Sequence, residues 1–328
     1  MISGPIRRVC VVGGAGFIGS HFVGRLLAGE VEQVTVYDNF TSGREWHLER
    51  FRADPRLSIV RADVVDLECL VESASGHDTI IHLASNPDIA AAVTNPAIDF
   101  DEGTRLTHYV AEAARRAGVA LVLYASGSGV YGDLGEVEAV ESQGSMIPTS
   151  TYGASKLAGE ALLASYAYMF DLTARAFRFG NVVGPRQTHG VGYDFIRRLI
   201  EDPSELRILG DGNQSKSYVH VDDIVSAVLL AGSLATIPFD VFNVASGDYV
   251  TVSQIAEMAV QVVGLQPDKT HFHYAGGRRG WKGDVPVVRI NTAKIRAIGW
   301  SNARTGPQAL FDSMTSMAAD ARAGRFPR

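Results

Sequence analysis

The chain has 328 residues, of which 46% are hydrophobic and 20% are charged, and its formal net charge is −6. This composition is typical of a globular protein, and the mixed charges provide no basic surface for nucleic acid. With no apolar stretch of the ~18 residues that a membrane span needs, no signal peptide, no disulfide framework and no metal-ligand spacing among its histidines, we expect a cytoplasmic protein without metal, membrane or nucleic-acid partners.

Short apolar runs alternate with helical segments through residues 1–180. Runs of this kind are typical of strands buried on both faces. Their alternation with helices predicts right-handed crossovers and an α/β fold with a doubly wound parallel sheet, the Rossmann arrangement. The predicted strands are 9–12, 34–37, 57–60, 79–83 and 121–124, and the predicted helices are 20–28, 66–75, 98–117 and 152–170.

The second half of the chain has shorter elements. Gly and Pro are frequent between helices predicted at 192–201, 221–233 and 253–263, and a strand-like run at 240–244 is expected to return to the main sheet. We therefore predict two domains. The first covers residues 1–180 with returning segments near 218–245, and the second is a smaller α/β domain over residues 181–328.

A glycine-rich turn follows the first predicted strand. The run from Gly13 to Gly19 reads GGAGFIG, which places Gly13, Gly16 and Gly19 at the spacing G-x-x-G-x-x-G before a helix. Glycine permits a tight turn and lets backbone amides approach a pyrophosphate. The helix N-terminus adds partial positive charge. Such a turn can also be purely structural when nothing else accompanies it.

An acidic residue closes the second predicted strand. Asp38 can accept both ribose hydroxyls of an adenosine and would repel a 2′-phosphate, so NAD is favoured over NADP even though Arg44 lies nearby. Asp63 ends the third strand, where it either binds the adenine amine or caps the following helix. Together with the glycine turn, these acids predict a dinucleotide site.

Tyr152 and Lys156 are four residues apart on a predicted helix, so both project from one face. A lysine beside a tyrosine favours the phenolate and lowers the tyrosine pKa. The phenolate could then take a proton from a sugar hydroxyl while hydride leaves the same carbon, and Lys156 could hold the nicotinamide ribose. A solvated helix pair is the alternative. The predicted NAD site comprises Gly13, Gly16, Phe17, Ile18, Gly19, Asp38, Asn39, Ser42, Gly43, Asp63, Val64, Leu83, Ala84, Ser85, Tyr152 and Lys156.

These motifs, with His82-Leu83-Ala84 and Val130-Tyr131-Gly132, resemble the extended short-chain dehydrogenase/reductase superfamily. Segments 178–186 (RFGNVVGPR) and 209–223 are similar to its nucleotide-sugar branch, above all the 4-epimerases of UDP-hexoses and UDP-hexuronic acids. The resemblance spans residues 8–300. It implies that tightly bound NAD removes and returns hydride at C4 of a UDP-sugar with Tyr152 as the base, and that the enzyme is a homodimer.

One position departs from this family. Its members usually carry Ser or Thr three residues before Val-Tyr-Gly, as a hydroxyl relay between sugar O4 and the tyrosine, and Gly127 stands there instead. Ser126, Ser128 or a water could supply the hydroxyl, or Tyr152 could act alone. Glycine also leaves more room beside C4 to C6 of the sugar. We expect a slower but active enzyme.

The resemblance also implies residues that hold the nucleotide. Asn181 matches a diphosphate-binding position, Lys216 stands where relatives usually carry Arg, and Arg279 roughly matches a phosphate-binding Arg, with Arg278 and Lys282 as alternatives. The predicted substrate site comprises Ser126, Gly127, Ser128, Asn181, Arg186, Gln214, Lys216, Tyr218 and Arg279.

Arg186 has two interpretations. It could bind a carboxylate near C6 of a uronic acid, or it could pair with Asp222 or Asp223 and be structural. The first interpretation makes UDP-glucuronate the first choice of substrate and UDP-glucose the second.

Two other activities of the same branch compete with epimerisation. Dehydratases similar to this chain carry an Asp-Glu pair after the relay, and UDP-glucuronate decarboxylases carry a Glu, whereas Ser128 and Gly129 stand here. A non-catalytic dinucleotide sensor is disfavoured by the intact Tyr152 and Lys156.

Overall fold

The computed structural model describes residues 6–326 and is built around a seven-stranded sheet. Every strand pairs in parallel with its neighbours. The strands are β1 (Arg8–Val12), β2 (Gln33–Asp38), β3 (Leu57–Arg61), β4 (Thr79–His82), β5 (Leu121–Gly127), β6 (Thr173–Phe179) and β7 (Phe239–Val244).

The strand order is β7-β6-β5-β4-β1-β2-β3. The predicted doubly wound parallel sheet is therefore confirmed. The order reverses between β1 and β4, and the carboxyl ends of the strands form a ligand crevice at such a reversal. The sequence analysis did not predict β6. The run at 240–244 lies in β7, where it pairs with β6.

Ten α-helices accompany the sheet in the described part of the chain. They are α1 (Phe17–Leu27), α2 (Glu45–Leu48), α3 (Leu67–Ala74), α4 (Arg105–Ala117), α5 (Thr151–Met169), α6 (Val191–Glu201), α7 (Val221–Ser233), α8 (Val252–Val263), α9 (Ala293–Ala297) and α10 (Gly306–Arg322). Helix α10 was not predicted from the sequence. None of the helices within residues 6–326 is long and apolar enough to cross a membrane.

Two helix starts differ from the sequence prediction. The helix predicted from residue 98 begins as a π-helical turn, Phe100–Thr104, before α4. Helix α3 is capped by Asp66, whose carboxylate accepts the Cys69 amide. The interpretation of Asp63 as the cap is therefore wrong.

The sheet divides the core into two layers, because alternate side chains of a strand point to opposite faces. In β1, Val9 and Val11 pack into the layer beneath α1 and α7. Cys10 and Val12 pack into the layer beneath α3 and α4. Burial raises the pKa of the Cys10 thiol to about 12, so this cysteine is an apolar core residue.

A third apolar cluster lies in the second half of the chain, where α6, α8 and α10 pack together. Short two-stranded ladders surround it, and one of them joins 181–183 to 218–220. The division into domains at residue 180 stays a prediction.

Candidate active site

The glycine turn at the end of β1 has no room for side chains. Gly13 has φ +85°, a conformation that glycine adopts at little cost, and a Cβ there would lie 2.8 Å from the Ala84 nitrogen. A Cβ on Gly19 would lie 2.2 Å from the Gly13 oxygen. Gly16 precedes α1 without a capping side chain, and the first turn of α1 has no acidic residue. The turn therefore fits a diphosphate.

Asp38 is held against this turn. Its carboxylate accepts the Ala15 amide at 2.9 Å and the Phe40 amide at 2.7 Å. Burial raises its pKa, and the two amide bonds oppose that rise. Each carboxylate oxygen can accept more than one hydrogen bond, so Asp38 retains capacity for ribose hydroxyls. Gly43 closes the other side, since a Cβ there would lie 2.8 Å from Asp38 Oδ1.

Asn39 and Asp63 are brought together by the fold. The Asn39 Nδ2 donates to Asp63 Oδ2 at 3.0 Å, and Asp63 Oδ1 accepts the Val65 amide at 3.1 Å. The role predicted for Asp63 at the adenine is left open by this geometry.

The other predicted NAD residues follow the ends of β1 to β4. Leu83 and Ala84, for example, bond through their amides to the Val12 carbonyl. All of them lie at the carboxyl edge of the parallel sheet, where α/β proteins bind dinucleotides. The residues present therefore fit NAD. The members of this group are Phe17, Ile18, Asn39, Ser42, Gly43, Asp63, Val64, Leu83, Ala84 and Ser85.

Tyr152 and Lys156 lie in the first two turns of α5, which Ser150 caps by accepting the Gly153 amide. Lys156 is only 3% exposed, and its Nζ donates to the Ala125 carbonyl at 2.9 Å. The same Nζ lies 5.4 Å from the centre of the Tyr152 ring. The two side chains therefore share one buried environment at the end of β5.

Burial determines the acidity of both groups. It raises the pKa of Tyr152 to about 12, and the negative charge of Asp99 raises it further. Burial lowers the pKa of Lys156 to about 8, against an opposing effect of Asp99. We expected Lys156 to lower the Tyr152 pKa. In the protein alone the shift has the opposite sign, because loss of hydration outweighs the attraction of an ammonium 5.4 Å from the ring centre.

Gly127 faces the phenol. A Cβ built on it would lie 3.9 Å from Tyr152 Oη, with nothing closer. Its φ of −159° is ordinary extended backbone, so a side chain would fit without strain. The position that carries the relay hydroxyl in relatives is therefore open space here.

The two serines beside Gly127 differ. Ser126 is buried and donates to Glu160 Oε1 at 2.5 Å, on the strand face opposite to Gly127. The prediction that Ser126 supplies the relay hydroxyl is therefore wrong. Ser128 is half-buried, and its hydroxyl has no hydrogen-bond partner within residues 6–326. Ser128, a water or Tyr152 alone remains possible.

A buried polar network behind α5 was missed by the sequence analysis. Arg178 donates to both oxygens of Glu160, at 3.0 and 2.7 Å, and to the Tyr131 hydroxyl at 2.9 Å. Tyr131 donates in turn to Asn243 at 2.7 Å. The network ties α5 to β6, β7 and the turn after Gly127. Charged residues inside an apolar strand or helix were the available signal.

The predicted nucleotide-binding residues lie in two groups. Asn181 stands opposite Tyr218 in a parallel ladder, and Tyr218 is buried. Lys216 pairs with Asp284 at 2.5 Å, and Asp284 also accepts the Gly280 amide at 3.0 Å. The structure therefore brings Lys216 to the loop that contains Arg279.

The remaining residues of this side are held by protein groups. Arg279 pairs with Asp133 at 3.2 Å. Gln214 is buried and donates to the Leu209 carbonyl at 3.3 Å, while its Oε1 has no partner among the described residues. Lys216 and Arg279 would have to leave their carboxylates, or share them, to bind phosphate.

Arg186 lies beside the glycine turn. It donates to the His47 carbonyl at 3.3 Å, and His47 contacts the Ala15 carbonyl at 2.8 Å through Nδ1. Burial and Arg50 lower the Arg186 pKa to about 10. The structural interpretation, a pair with Asp222 or Asp223, is wrong, because Asp222 contacts His21 at 3.1 Å and no carboxylate within residues 6–326 pairs with Arg186.

The glycine turn and the phenol lie on the same edge of the sheet. The turn follows β1, Gly127 ends β5, and β4 alone separates these two strands. A dinucleotide whose diphosphate rests on the turn can therefore extend towards Tyr152, as hydride transfer requires.

Known proteins share this arrangement. The sequence profile of the NAD dependent epimerase/dehydratase family matches residues 9–245. The chain belongs to this family. The UDP-glucose 4-epimerase of Mycolicibacterium smegmatis is 34% identical over 300 residues, which is 89% of this chain and 93% of that protein.

Solved structures agree. A UDP-galactose 4-epimerase superposes with a TM-score of 0.83 at 35% identity, covering 95% of this chain and 99% of that one. MoeE5 in complex with UDP-glucuronic acid and NAD superposes with a TM-score of 0.82 at 28% identity, covering 95% and 99%. The predicted resemblance, the NAD cofactor and the classification of this family member as an NAD-dependent epimerase are thereby confirmed.

Proposed function

We propose that this epimerase interconverts UDP-glucuronate and UDP-galacturonate. The observation that carries the proposal is the open space opposite the Tyr152 hydroxyl, where Gly127 has no side chain. A C6 carboxylate is bulkier than a hydroxymethyl group and requires hydrogen-bond donors. Gly127 leaves room for it, and the Ser128 hydroxyl beside that space is a free donor. The similar fold of MoeE5 holds UDP-glucuronic acid.

The residues divide the reaction between them. Acceptance of hydride from sugar C4, and its return to the other face, is the chemistry that NAD supplies when bound. Tyr152 takes the proton of the C4 hydroxyl and gives it back. Lys156 places a positive charge near the phenol and lowers the cost of its ionisation. The glycine turn and Asp38 hold the diphosphate and the adenosine ribose.

The substrate contacts of this proposal are Asn181, Tyr218, Gln214, Lys216 and Arg279 for the nucleotide, with Arg186 as a further cation. Lys216 would exchange its contact with Asp284 for a phosphate oxygen. Arg186 lies next to His47, so its role near C6 requires a rearrangement towards Gly127.

UDP-glucose is the second candidate substrate. The relative from Mycolicibacterium smegmatis bears the name UDP-glucose 4-epimerase. Dehydration and decarboxylation are less well supported, because the helical turn Ser128–Tyr131 that follows Gly127 has no acidic residue.

Proton NMR of NAD-loaded enzyme with UDP-glucuronate tests the proposal. We expect UDP-galacturonate signals, and a kcat/KM higher than that for UDP-glucose measured in parallel. A pentose product with carbon dioxide would replace epimerisation by decarboxylation. Turnover of UDP-glucose alone would overturn the choice of uronate. Tyr152→Phe is the control and should remove the product peaks while leaving NAD bound.

A further inference from the structure

A buried carboxylate that the proposed reaction has not used lies at the start of α5. Asp99 is 1% exposed, and both its oxygens are anchored. Oδ2 accepts the Thr151 hydroxyl at 2.6 Å, and Oδ1 accepts the Asn86 side-chain amide at 2.9 Å. Thr151 directly precedes Tyr152. The carboxylate is therefore fixed to the residue that begins the turn carrying the proposed base.

The backbone brings Asp99 to this place in an unusual way. Asp99 immediately precedes the π-helical turn Phe100–Thr104, and turns of this type are rare and are frequent at functional sites. Within the turn, a Cβ on Gly103 would lie 2.0 Å from Ser155 Oγ. The turn therefore packs directly against α5 between Tyr152 and Lys156 in sequence. Asn86 secures the other side, since its oxygen accepts the Asp88 amide at 2.9 Å.

The charge of Asp99 has no ion-pair partner within residues 6–326. The titratable groups facing Tyr152 and Lys156 are Asp99 from the π-helical turn, Tyr124 from β5 and His82 from β4.

These neighbours differ in the charge they carry. Burial lowers the pKa of His82 to about 3, so His82 is neutral at working pH. Glu160 is already neutralised by Arg178. Glu102, whose pKa is raised by burial and by neighbouring acids, faces Asp99 rather than the pair. Asp99 is therefore the buried anion that acts on Tyr152 and Lys156.

We propose that Asp99 is a positioning residue that sets the charge state of the Tyr152–Lys156 pair, keeping Lys156 protonated in its buried site and delaying ionisation of Tyr152. This proposal rests on the proposed role of Tyr152 as the base. A nearby negative charge raises the pKa of any group it faces, and both shifts in the protein have that sign. Asp99 therefore moves both limbs of the activity profile towards higher pH.

Asp99→Asn tests this because it removes the charge and keeps both hydrogen-bonding positions. In the NAD-loaded enzyme we expect both limbs of the pH–kcat profile to move to lower pH by about half a unit or more. Asp99→Glu, which restores a carboxylate, should return the limbs towards those of the wild type. Asp101→Asn is the matched control, because Asp101 is exposed and pairs with Arg105 on the same segment. It should leave the limbs in place.

A loss of kcat in Asp99→Asn with unmoved limbs would assign Asp99 a structural role and overturn the proposal. If Asp99→Asn does not fold, Asp99→Ser is judged by the same shift. A readout without turnover keeps this separate from the choice of substrate. Tyrosine labelled with ¹³C at Cζ gives the Tyr152 titration in holoenzyme, with its resonance assigned by Tyr152→Phe. Loss of the Asp99 charge should lower that pKa, and an unchanged pKa would equally reject the proposal.

Discussion

The Ser126 hydroxyl donates a 2.5 Å hydrogen bond to the Glu160 carboxylate, and this bond holds it on the face of β5 opposite to Tyr152. Glu160 also receives both arms of the Arg178 guanidinium. Ser126 therefore belongs to the buried framework behind α5 and lies outside the path of the proton.

Replacing the two serines separately should give different effects. Ser126→Ala removes a buried hydrogen bond to a charged group and should lower the free energy of unfolding by about 1–3 kcal/mol, with kcat little changed at a temperature where the protein is folded. Ser128→Ala should instead lower kcat with stability unchanged. Urea unfolding and initial rates measure both. If neither variant changes turnover, a water or Tyr152 alone moves the proton.

Gly127→Ser should increase turnover of UDP-glucose. A Cβ at this position lies 3.9 Å from Tyr152 Oη, so a serine hydroxyl can reach hydrogen-bond distance from the phenol. A positioned proton-transfer group contributes about 100-fold or more, and we expect at least a tenfold part of that in kcat. Gly144→Ser is the control, because that position is open and remote. A fall in kcat with UDP-glucose would contradict the assignment of Gly127 to the relay position.

Glu160→Gln should strongly destabilise the protein. It leaves Arg178 buried with an uncompensated charge, which costs about 3–5 kcal/mol when one partner of a buried pair is removed. Chemical denaturation provides the measurement. The exposed pair Arg197–Glu201 offers the comparison, and Glu201→Gln should change stability by less than about 0.5 kcal/mol. Equal effects of the two variants would show that the network has no special role.

Lys156→Met should remove activity and change how stability depends on pH. Burial lowers the Lys156 pKa from 10.5 to about 8, so the unfolded chain binds more protons than the native chain between these values. The wild type should therefore gain stability relative to Lys156→Met as pH rises from 8 towards 10, by on the order of 2 kcal/mol. Urea unfolding of both proteins at pH 7 and pH 9.5 measures the difference. A difference independent of pH would mean that the Lys156 pKa is not depressed.

Gly19→Ala should weaken NAD binding, because its Cβ would lie 2.2 Å from the Gly13 oxygen and force the turn open. NAD retained after gel filtration, measured from the absorbance of released cofactor, should fall several-fold. Gly144→Ala provides the control at an open position. Full retention of NAD in Gly19→Ala would separate the glycine turn from the cofactor site.

Much of the fold could be predicted from the sequence, because its signals are local. Apolar runs marked β1 to β5, and the glycine spacing placed a turn after β1. The elements missed, β6 and α10, lie where charged residues such as Arg175 and Arg178 interrupt the apolar pattern or where the sequence analysis assigned no element. Arg178 became visible as a core residue only when the fold placed Glu160 beside it.

The sequence by itself determined the class of chemistry, since Tyr152, Lys156, Asp38 and the glycine turn are defined by spacing along one chain. The tertiary structure decided which atoms meet. It turned Ser126 away from Tyr152, left open space at Gly127, and brought Asp99 to α5. The physical reason is that the direction of a side chain and its loss of hydration depend on packing between elements distant in sequence, and these two quantities set the pKa values and proton paths of the site.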